Sequence, residues 1–387
     1  MKNYCPLPFI NIYSELNGFD PCCNWKRINN DDTILDVNEA FSSVKIKQIR
    51  QDMIDGKEIP NCEHCYYDEK IGQKSFRQDA IDTWGVVTVP RLQSLEVVFD
   101  NICNLKCRGC NSIASHQWYD EEHHIYGKSF VEKKYIRNST LHTVDTTHLK
   151  HINIAGGEPF FSKDCDRFLK NLRDKDLIKN IDLTFATNCT IIPNSSFHQS
   201  LLECNNLTVV LSIDGIGSLN DYIRSPSTWD NCVETMNYFN TLIDLRAGKN
   251  TSIAFRTTVY IYNVNKLKEI DLFFKEMFPR FSESKKNVSL EPTMLSIKNM
   301  PHDLKDLVRP SVEEYSDVLN MLDQSGDNLF EEFLFFHNKI DFLRKEKLGE
   351  ANSLLSDYIN NRESKSNNYL DRRKIFPCIV SEITKVG

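Results

Sequence analysis

Residues 95–110 read LEVVFDNICNLKCRGC. A largely apolar, β-branched run, 95–99, ends at Asp100 and Asn101, and three cysteines follow at Cys103, Cys107 and Cys110 in the spacing C-x3-C-x2-C. The run reads as a buried strand and the cysteines as the loop at its C-terminal end. A short loop can turn three thiolates toward one point. Three thiolates suit a cubane cluster of four irons, because one iron is left without a protein ligand. A structural zinc site wants a fourth ligand, from a second C-x2-C pair or a pair of histidines. On spacing alone, structural cysteines, zinc and a cluster are three readings of the same residues.

Composition narrows the classes. A length of 387 residues allows one large domain with attachments, or two to three domains. A net charge of −7 gives no general attraction to nucleic acid or anionic lipid. No apolar run reaches the length of a membrane span, and the opening MKNYCPLPFINIYSE lacks a signal-peptide pattern, so the expected compartment is the cytoplasm. Thirteen cysteines, an odd number, in a reducing compartment point to metal or redox use rather than disulfides.

Outward from the cysteine loop, strand-like runs recur at 95–99, 151–155, 181–186, 208–213, 252–260 and 288–290, with helical stretches between most of them. This alternation predicts an α/β fold with a parallel sheet and right-handed crossovers. Working groups then belong at the C-terminal ends of the strands. After the second run comes Gly156-Gly157-Glu158-Pro159, in which two glycines let backbone approach a ligand and Glu158 offers a carboxylate to an ammonium group. A plain turn before Pro159 is the competing reading. The third run ends in Thr187-Asn188-Cys189, where Cys189 reads as a small buried residue. The fourth ends in Ser212-Ile213-Asp214, so Ser212 and Asp214 share a face, and Arg224 follows, suited either to a carboxylate or to a surface ion pair. The fifth run carries Arg256-Thr257-Thr258-Val259 and is followed by Asn263.

The C-x3-C-x2-C loop with GGEP at the end of the next strand resembles the radical S-adenosylmethionine (radical SAM) superfamily. The resemblance implies a partial (β/α)6 TIM-type barrel and a 4Fe-4S cluster on Cys103, Cys107 and Cys110. The open iron is chelated there by the amino and carboxylate groups of S-adenosylmethionine. Gly156, Gly157 and Glu158 then hold the amino group of that cofactor. Asn188 stands in the family's Thr-Asn-Gly position. Ser212 is expected at the ribose or methionine carboxylate, Asp214 at cofactor or substrate, and Arg224 at a carboxylate. The family usually places a large or aromatic residue before the third cysteine, and this chain has Gly109 instead. The sixth run ends in Leu290-Glu291-Pro292, which matches where the family packs backbone and an apolar side chain against adenine.

Five more cysteines, Cys5, Cys22, Cys23, Cys62 and Cys65, fall in the first 65 residues. A C-x2-C pair plus two distant cysteines can complete a four-thiolate site for zinc or for an auxiliary iron–sulfur cluster. The order Cys5, Gly18, Cys23, then Cys62-x2-Cys65 resembles the single-cluster twitch form of the SPASM/twitch extension, placed before the barrel, and this implies an auxiliary 4Fe-4S cluster. A strand over 9–13 turning at Asn17-Gly18, one helix over 38–54 with Phe41, Val44, Ile49 and Met53 inward, and a loop carrying Cys62 and Cys65 are expected, with His64 facing solvent. Glu69, Ser75 and Arg77 read as a surface helix and its cap. Toward the C-terminus, short helices are expected at 303–309 and 312–322, with a longer one that buries Phe333, Phe336, Ile340 and Leu343. Cys378 reads as a small apolar residue.

The expected organisation is therefore an N-terminal cysteine-rich twitch domain at 1–90, a core barrel at 91–295 and a helical C-terminal extension at 296–387. The expected activity is reductive cleavage of S-adenosylmethionine to a 5′-deoxyadenosyl radical that abstracts hydrogen from a substrate. The expected partners are S-adenosylmethionine, an electron donor and a substrate, with a peptide favoured because enzymes with related extensions often modify peptides; membrane and general nucleic-acid binding are not expected. The alternative is a cysteine-rich zinc protein that recognises a partner without this chemistry.

Overall fold

The computed structural model describes residues 3–16, 18–26, 36–70, 72–138, 141, 144–283, 287–288, 293–326 and 329–365. Among the described residues there are ten strands: β1 (Asn11–Glu15), β2 (Gly18–Asp20), β3 (Ser94–Val98), β4 (His151–Ala155), β5 (Asp182–Thr187), β6 (Leu207–Ser212), β7 (Thr251–Arg256), β8 (Thr258–Val259), β9 (Ser282–Glu283) and β10 (Asn287–Val288). The main sheet runs β2-β1-β3-β4-β5-β6-β7-β9. Every neighbouring pair from β1 to β9 is parallel, and only β2 is antiparallel. The seven parallel strands do not close, so the architecture is an open, partial TIM-type barrel with helical crossovers and a helical C-terminal region.

Side-chain alternation explains the layering. Leu95 and Val97, Ile152 and Ile154, Leu183 and Phe185, Val209 and Leu211, and Ile253 and Phe255 are buried in one hydrophobic cluster with the crossover helices. On the other face His151, Asn153, Thr184, Thr208 and Ser252 are partly exposed, and toward the C-terminal ends of the strands they give way to Val98, Ala155, Ala186, Val210 and Ala254, with Ser212 at the end of β6, so this face is polar at one end of the sheet and mostly small and apolar at the other. Helix Lys163–Asp174 starts where Ser162 Oγ accepts from Cys165 N, and helix Trp229–Leu245 buries Cys232, Met236, Phe239 and Leu242. A second cluster joins the C-terminal helices to Trp118, Tyr222 and Tyr262, with Phe333, Phe336 and Ile340 buried as expected.

Several elements differ from the sequence expectation. The N-terminal strand is part of the main sheet: after a helical turn Leu7–Ile10, β1 pairs in parallel with β3, Asn11 opposite Ser94. The hairpin to β2 is present. The expected single helix over 38–54 is two, Val37–Phe41 and Val44–Ile54, because Asp36 and Ser43 each cap a start. Val44 is consequently 83% exposed at the new N-terminus, and Ile46 is buried with Ile49 and Met53. Cys62 and Cys65 are not on a loop. A 3-10 turn Pro60–Cys62 feeds helix Glu63–Lys70, with proline at its entry and Glu63 in its first turn. The run 252–260 breaks at Thr257 into β7 and β8, and β10 pairs with β8 rather than joining the main sheet; β9 takes the place beside β7. Residues 289–292 and Cys378 lie outside the described residues. The helix expected at 312–322 starts at Ser316, after a 3-10 turn Arg309–Ser311, and Leu343 is 36% exposed. Among the described residues, no helix is long and apolar enough to cross a membrane.

Ser75 is buried and caps helix Phe76–Trp84 in a full capping box with Gln78, and its hydroxyl also donates to Glu69 Oε1 at 2.5 Å. Ser75→Ala is expected to destabilise the chain by about 1–2 kcal/mol. Ser75→Thr should retain most of that. Denaturant midpoints of the two variants check it; equal midpoints for Ala and wild type would contradict the capping assignment.

Candidate active site at the C-terminal ends of the strands

Asp100, two residues beyond the end of β3, ties three segments together. Its carbonyl accepts from Gly157 N at 3.2 Å, its Oδ1 from Ile102 N at 3.0 Å, and its Oδ2 from Ser162 Oγ at 2.5 Å. The cysteine loop, the Gly-Gly corner and the following helix are thereby fixed to one side chain. Glu158 N donates to Ile102 O at 2.9 Å. A Cβ on Gly157 would lie 2.3 Å from that same carbonyl oxygen, and one on Gly156, at φ +117°, would lie 2.7 Å from Val98 Cγ1. Both glycines are therefore required for the corner to sit against the cysteine loop.

Glu158 is 1% exposed and accepts from Phe160 N, Thr187 Oγ1 and Asn188 N at 3.1, 2.8 and 2.7 Å. A carboxylate has about four acceptor sites, so three protein donors leave room for one more. Burial pushes its carboxyl up to about 7, against those hydrogen bonds. Asn188 donates through Nδ2 to Asn104 Oδ1 at 2.8 Å and to Cys103 Sγ at 3.7 Å. Cys189 is fully buried at φ +62°, the backbone conformation that glycine adopts most readily.

The three loop cysteines are close in space as well as in sequence. Cys110 N donates to Cys107 O at 3.0 Å, and Trp118 Nε1 donates to Cys107 O at 2.9 Å. Burial raises all three thiols, Cys110 to about 12, and the neighbouring thiols add to the rise at Cys103 and Cys110. Such thiols lose their protons when a metal takes the charge. Among the described residues no three His, Cys, Asp or Glu side chains converge tightly enough to hold a single metal ion. A cubane makes a different demand, since each thiolate binds a separate corner iron. The donor set, the glycine cradle and the spare acceptor on Glu158 fit a cluster with its chelating cofactor.

Asp214 and Arg224 are brought together, Nε to Oδ2 at 2.8 Å. Thr258 N donates to Asp214 Oδ1 at 2.8 Å, and Asp214 N to Asn220 Oδ1 at 3.2 Å. Asp214 is thus the buried partner of Arg224, and Arg224 is not in a surface ion pair. Ser212 is half-buried at the end of β6, opposite Arg256, which is exposed. Asn263 is buried and holds the turn through Asp214 O and Thr258 O.

Two residues that sequence reading passed over shape the loop. A Cβ on Gly109 would lie 2.2 Å from Tyr260 Oη, so a ring from the end of β8 occupies the space at the position before the third cysteine. Arg108 is fully buried between Cys107 and Gly109. It pairs with Asp341 at 2.5 Å and Glu346 at 2.6 Å, and its guanidinium stacks 3.6 Å above the ring of Tyr222. Its position inside the motif was the only local signal.

At the N-terminal cysteines, Cys5 lies within electrostatic reach of Cys62 and Cys65, and burial is the main reason its thiol rises to about 12. Cys22 is near Cys5, and Cys23 near Cys65. Backbone bonds pair the two segments, Lys26 N to Asn61 O at 3.0 Å, with Asn61 Nδ2 to Lys26 O at 2.7 Å. His64 is exposed. Arg77 is ion-paired with Glu69 and donates to Tyr4 O at 2.7 Å, and its charge acts on Cys5, Cys62 and Cys65. Glu69, Ser75 and Arg77 are therefore a brace beside the cysteines rather than a free surface helix. Glu96 of β3, also unforeseen, is buried next to Cys22 and Cys23 and accepts from Asn11 Nδ2 at 2.8 Å.

No family model matches the sequence, and no curated protein sequence matches it. Solved structures that resemble the fold include Streptococcus suis SuiB bound to precursor peptide SuiA, at 19% identity over 84% of this chain and 74% of that one, with a TM-score of 0.38. SuiB bound to S-adenosylmethionine matches at 18% identity over 76% and 64%, TM-score 0.35. anSMEcpe with bound AdoMet and Cp18Cys peptide matches at 23% identity over 61% and 63%, TM-score 0.34. The chain thus spans about three quarters of the peptide-bound SuiB and just under two thirds of the other two.

Proposed function

We propose that the chain is a radical SAM enzyme. Cys103, Cys107 and Cys110 would hold a 4Fe-4S cluster, and Gly156, Gly157 and Glu158, with Asn188 and Ser212 nearby, would hold S-adenosylmethionine. The cluster and S-adenosylmethionine, when bound, would supply reductive cleavage of the sulfonium C–S bond and hydrogen-atom abstraction from a substrate. The observation that carries the reading is the interlock of the Gly-Gly corner with the cysteine loop. Two motifs 50 residues apart in sequence meet backbone to backbone, Glu158 N on Ile102 O.

The chain's own residues bind, orient and exclude water. Glu158 is buried with one acceptor site left for an ammonium group, and Thr187 and Asn188 fix the direction of its carboxyl. Asn188 and Asn104 clamp the end of β5 to the cysteine loop. The covered Cys103 and Glu158 limit solvent at the site. We further propose that Cys5, Cys23, Cys62 and Cys65, with Cys22 as the alternative to Cys23, hold an auxiliary 4Fe-4S cluster, with residues 1–90 as a twitch unit. SuiB is captured with a precursor peptide and anSMEcpe with the Cp18Cys peptide, and a peptide is the substrate class proposed here.

Anaerobic reconstitution with iron and sulfide tests the reading. About eight irons per chain are expected, falling to about four in C103A/C107A/C110A and to about four in C5A/C62A/C65A. With dithionite and S-adenosylmethionine, 5′-deoxyadenosine should form in wild type and not in C103A/C107A/C110A. A colourless protein that retains stoichiometric zinc would overturn the proposal in favour of a zinc-binding recognition protein.

A further inference from the structure

The three sulfurs of the cysteine loop have unlike surroundings. Cys103 Sγ accepts from two neutral donors, Leu105 N at 3.4 Å and Asn188 Nδ2 at 3.7 Å. Cys110 is itself the donor, its S–H directed at Asn111 O at 3.6 Å. Cys107 Sγ faces a full positive charge, Arg224 Nη1 at 3.9 Å. That guanidinium is held from behind by Asp214, and Asp214 is held by Thr258 N. Asp214 is 2% exposed. Two of the three guanidinium nitrogens are engaged in this way, one on the carboxylate and one on the sulfur. The arginine lies between Asp214 and the cysteine loop.

We infer that Arg224, anchored by Asp214, is a positioning residue that sets the reduction potential of the cluster proposed on Cys103, Cys107 and Cys110, acting through the Cys107 sulfur. The inference rests on the proposed function. A one-electron reductant adds one negative charge at the sulfur cage and breaks no protein bond. A buried cation beside a ligand sulfur favours that more negative state, and charge and hydrogen bonds at the sulfurs are what tune such potentials. Asp214 partly cancels the field of the arginine. The effect is therefore a moderate bias whose sign depends on which partner is removed. Removing the cation makes the cluster harder to reduce. Removing the carboxylate leaves the cation uncompensated and makes the cluster easier to reduce.

The test is a potentiometric titration of the reconstituted full chain with dithionite and redox dyes, followed by electron paramagnetic resonance. The core signal is the one that C103A/C107A/C110A lacks. In Arg224→Gln the ratio of reduced to oxidised cluster at a fixed potential should fall about tenfold, a midpoint about 59 mV lower for one electron. Asp214→Asn should move the midpoint the opposite way, and Arg224→Lys should stay within about threefold of wild type because the charge is kept. Iron content should match wild type in all three. If Arg224→Gln does not fold, the double variant Arg224→Gln/Asp214→Asn, which replaces the ion pair with two amides, should still titrate below wild type. An unchanged midpoint in whichever of these two folds, or shifts of the same sign for Arg224→Gln and Asp214→Asn, overturns the inference alone. A wild-type chain that takes up no iron and sulfide overturns the proposed function and this inference with it.

Discussion

Gly157→Ala should weaken S-adenosylmethionine binding by about tenfold to a hundredfold, whereas Gly349→Ala should leave it unchanged. The difference lies in what the new methyl group meets. At Gly157 it would lie 2.3, 2.7 and 2.9 Å from the O, C and N of Ile102, all backbone atoms one residue before Cys103. No side-chain rotation relieves such a contact, so either the corner or the cysteine loop must move. The hydrogen bonds Gly157 N to Asp100 O and Glu158 N to Ile102 O bind the two segments at that place, so both ends of the proposed cofactor site are displaced together. Overpacking of this kind typically costs about 1–3 kcal/mol. At Gly349, in helix Leu348–Ala351, the nearest atom is Ser356 Oγ at 3.3 Å, and alanine favours a helix. Equilibrium dialysis with S-adenosylmethionine, alongside thermal unfolding of both variants, separates a local displacement from general damage. Equal affinity in Gly157→Ala and wild type would remove the interlock as the basis of the site.

Local patterns made the barrel and the meeting of its two motifs legible. Residues 95–99 are a short, largely apolar, β-branched run bounded by Asp100 and Asn101, which reads as a buried strand, and the C-x3-C-x2-C spacing fixes the loop after it. GGEP at the end of the next strand is a short-range signal as well, and parallel topology then places the two motifs side by side. What was not legible depends on pairings across long stretches of chain. That β1 joins β3 is decided by register between residues 11–14 and 94–97, for which neither segment carries a local mark. Arg224 could be read as a carboxylate binder or a surface ion pair, and its spacing could not say that Asp214 and Cys107 enclose it. Tyr260 fills the space left by Gly109 from about 150 residues away, so the departure from the family pattern was visible and its compensation was not. The helix break at Ser43 was readable, since Asp36 and Ser43 are both cap residues, but apolar spacing ran through it and masked the second start.

Arg108→Ala should destabilise the fold by about 3–5 kcal/mol and lower the thermal midpoint by roughly 5–10 °C. Arg108 is fully buried, with one nitrogen shared between Asp341 and Glu346, Nε donating to Tyr222 O at 2.9 Å, and its guanidinium stacked on the Tyr222 ring. Truncation leaves two carboxylates beside one another in a poorly solvated place, which is the costly way to break a buried ion pair. The partners sit at the end of helix Phe330–Arg344 and just beyond it, so the damage falls on the contact between the C-terminal helices and the cysteine loop. A second clamp runs beside the first. Arg344 of that helix pairs with Glu121 at 2.7 Å, and Glu121 pairs with Lys106 at 2.5 Å, so the residues on both sides of Cys107 are tied to the same helix. Loss of Arg108 should therefore lower the iron bound at the proposed core cluster as well as stability, while iron at the proposed N-terminal cluster, whose cysteines are braced separately by Glu69 and Arg77, is retained. Iron analysis and thermal unfolding of Arg108→Ala, compared with Lys57→Ala in an exposed ion pair, check both parts. A midpoint within a degree of wild type would show that the C-terminal helices do not hold the loop.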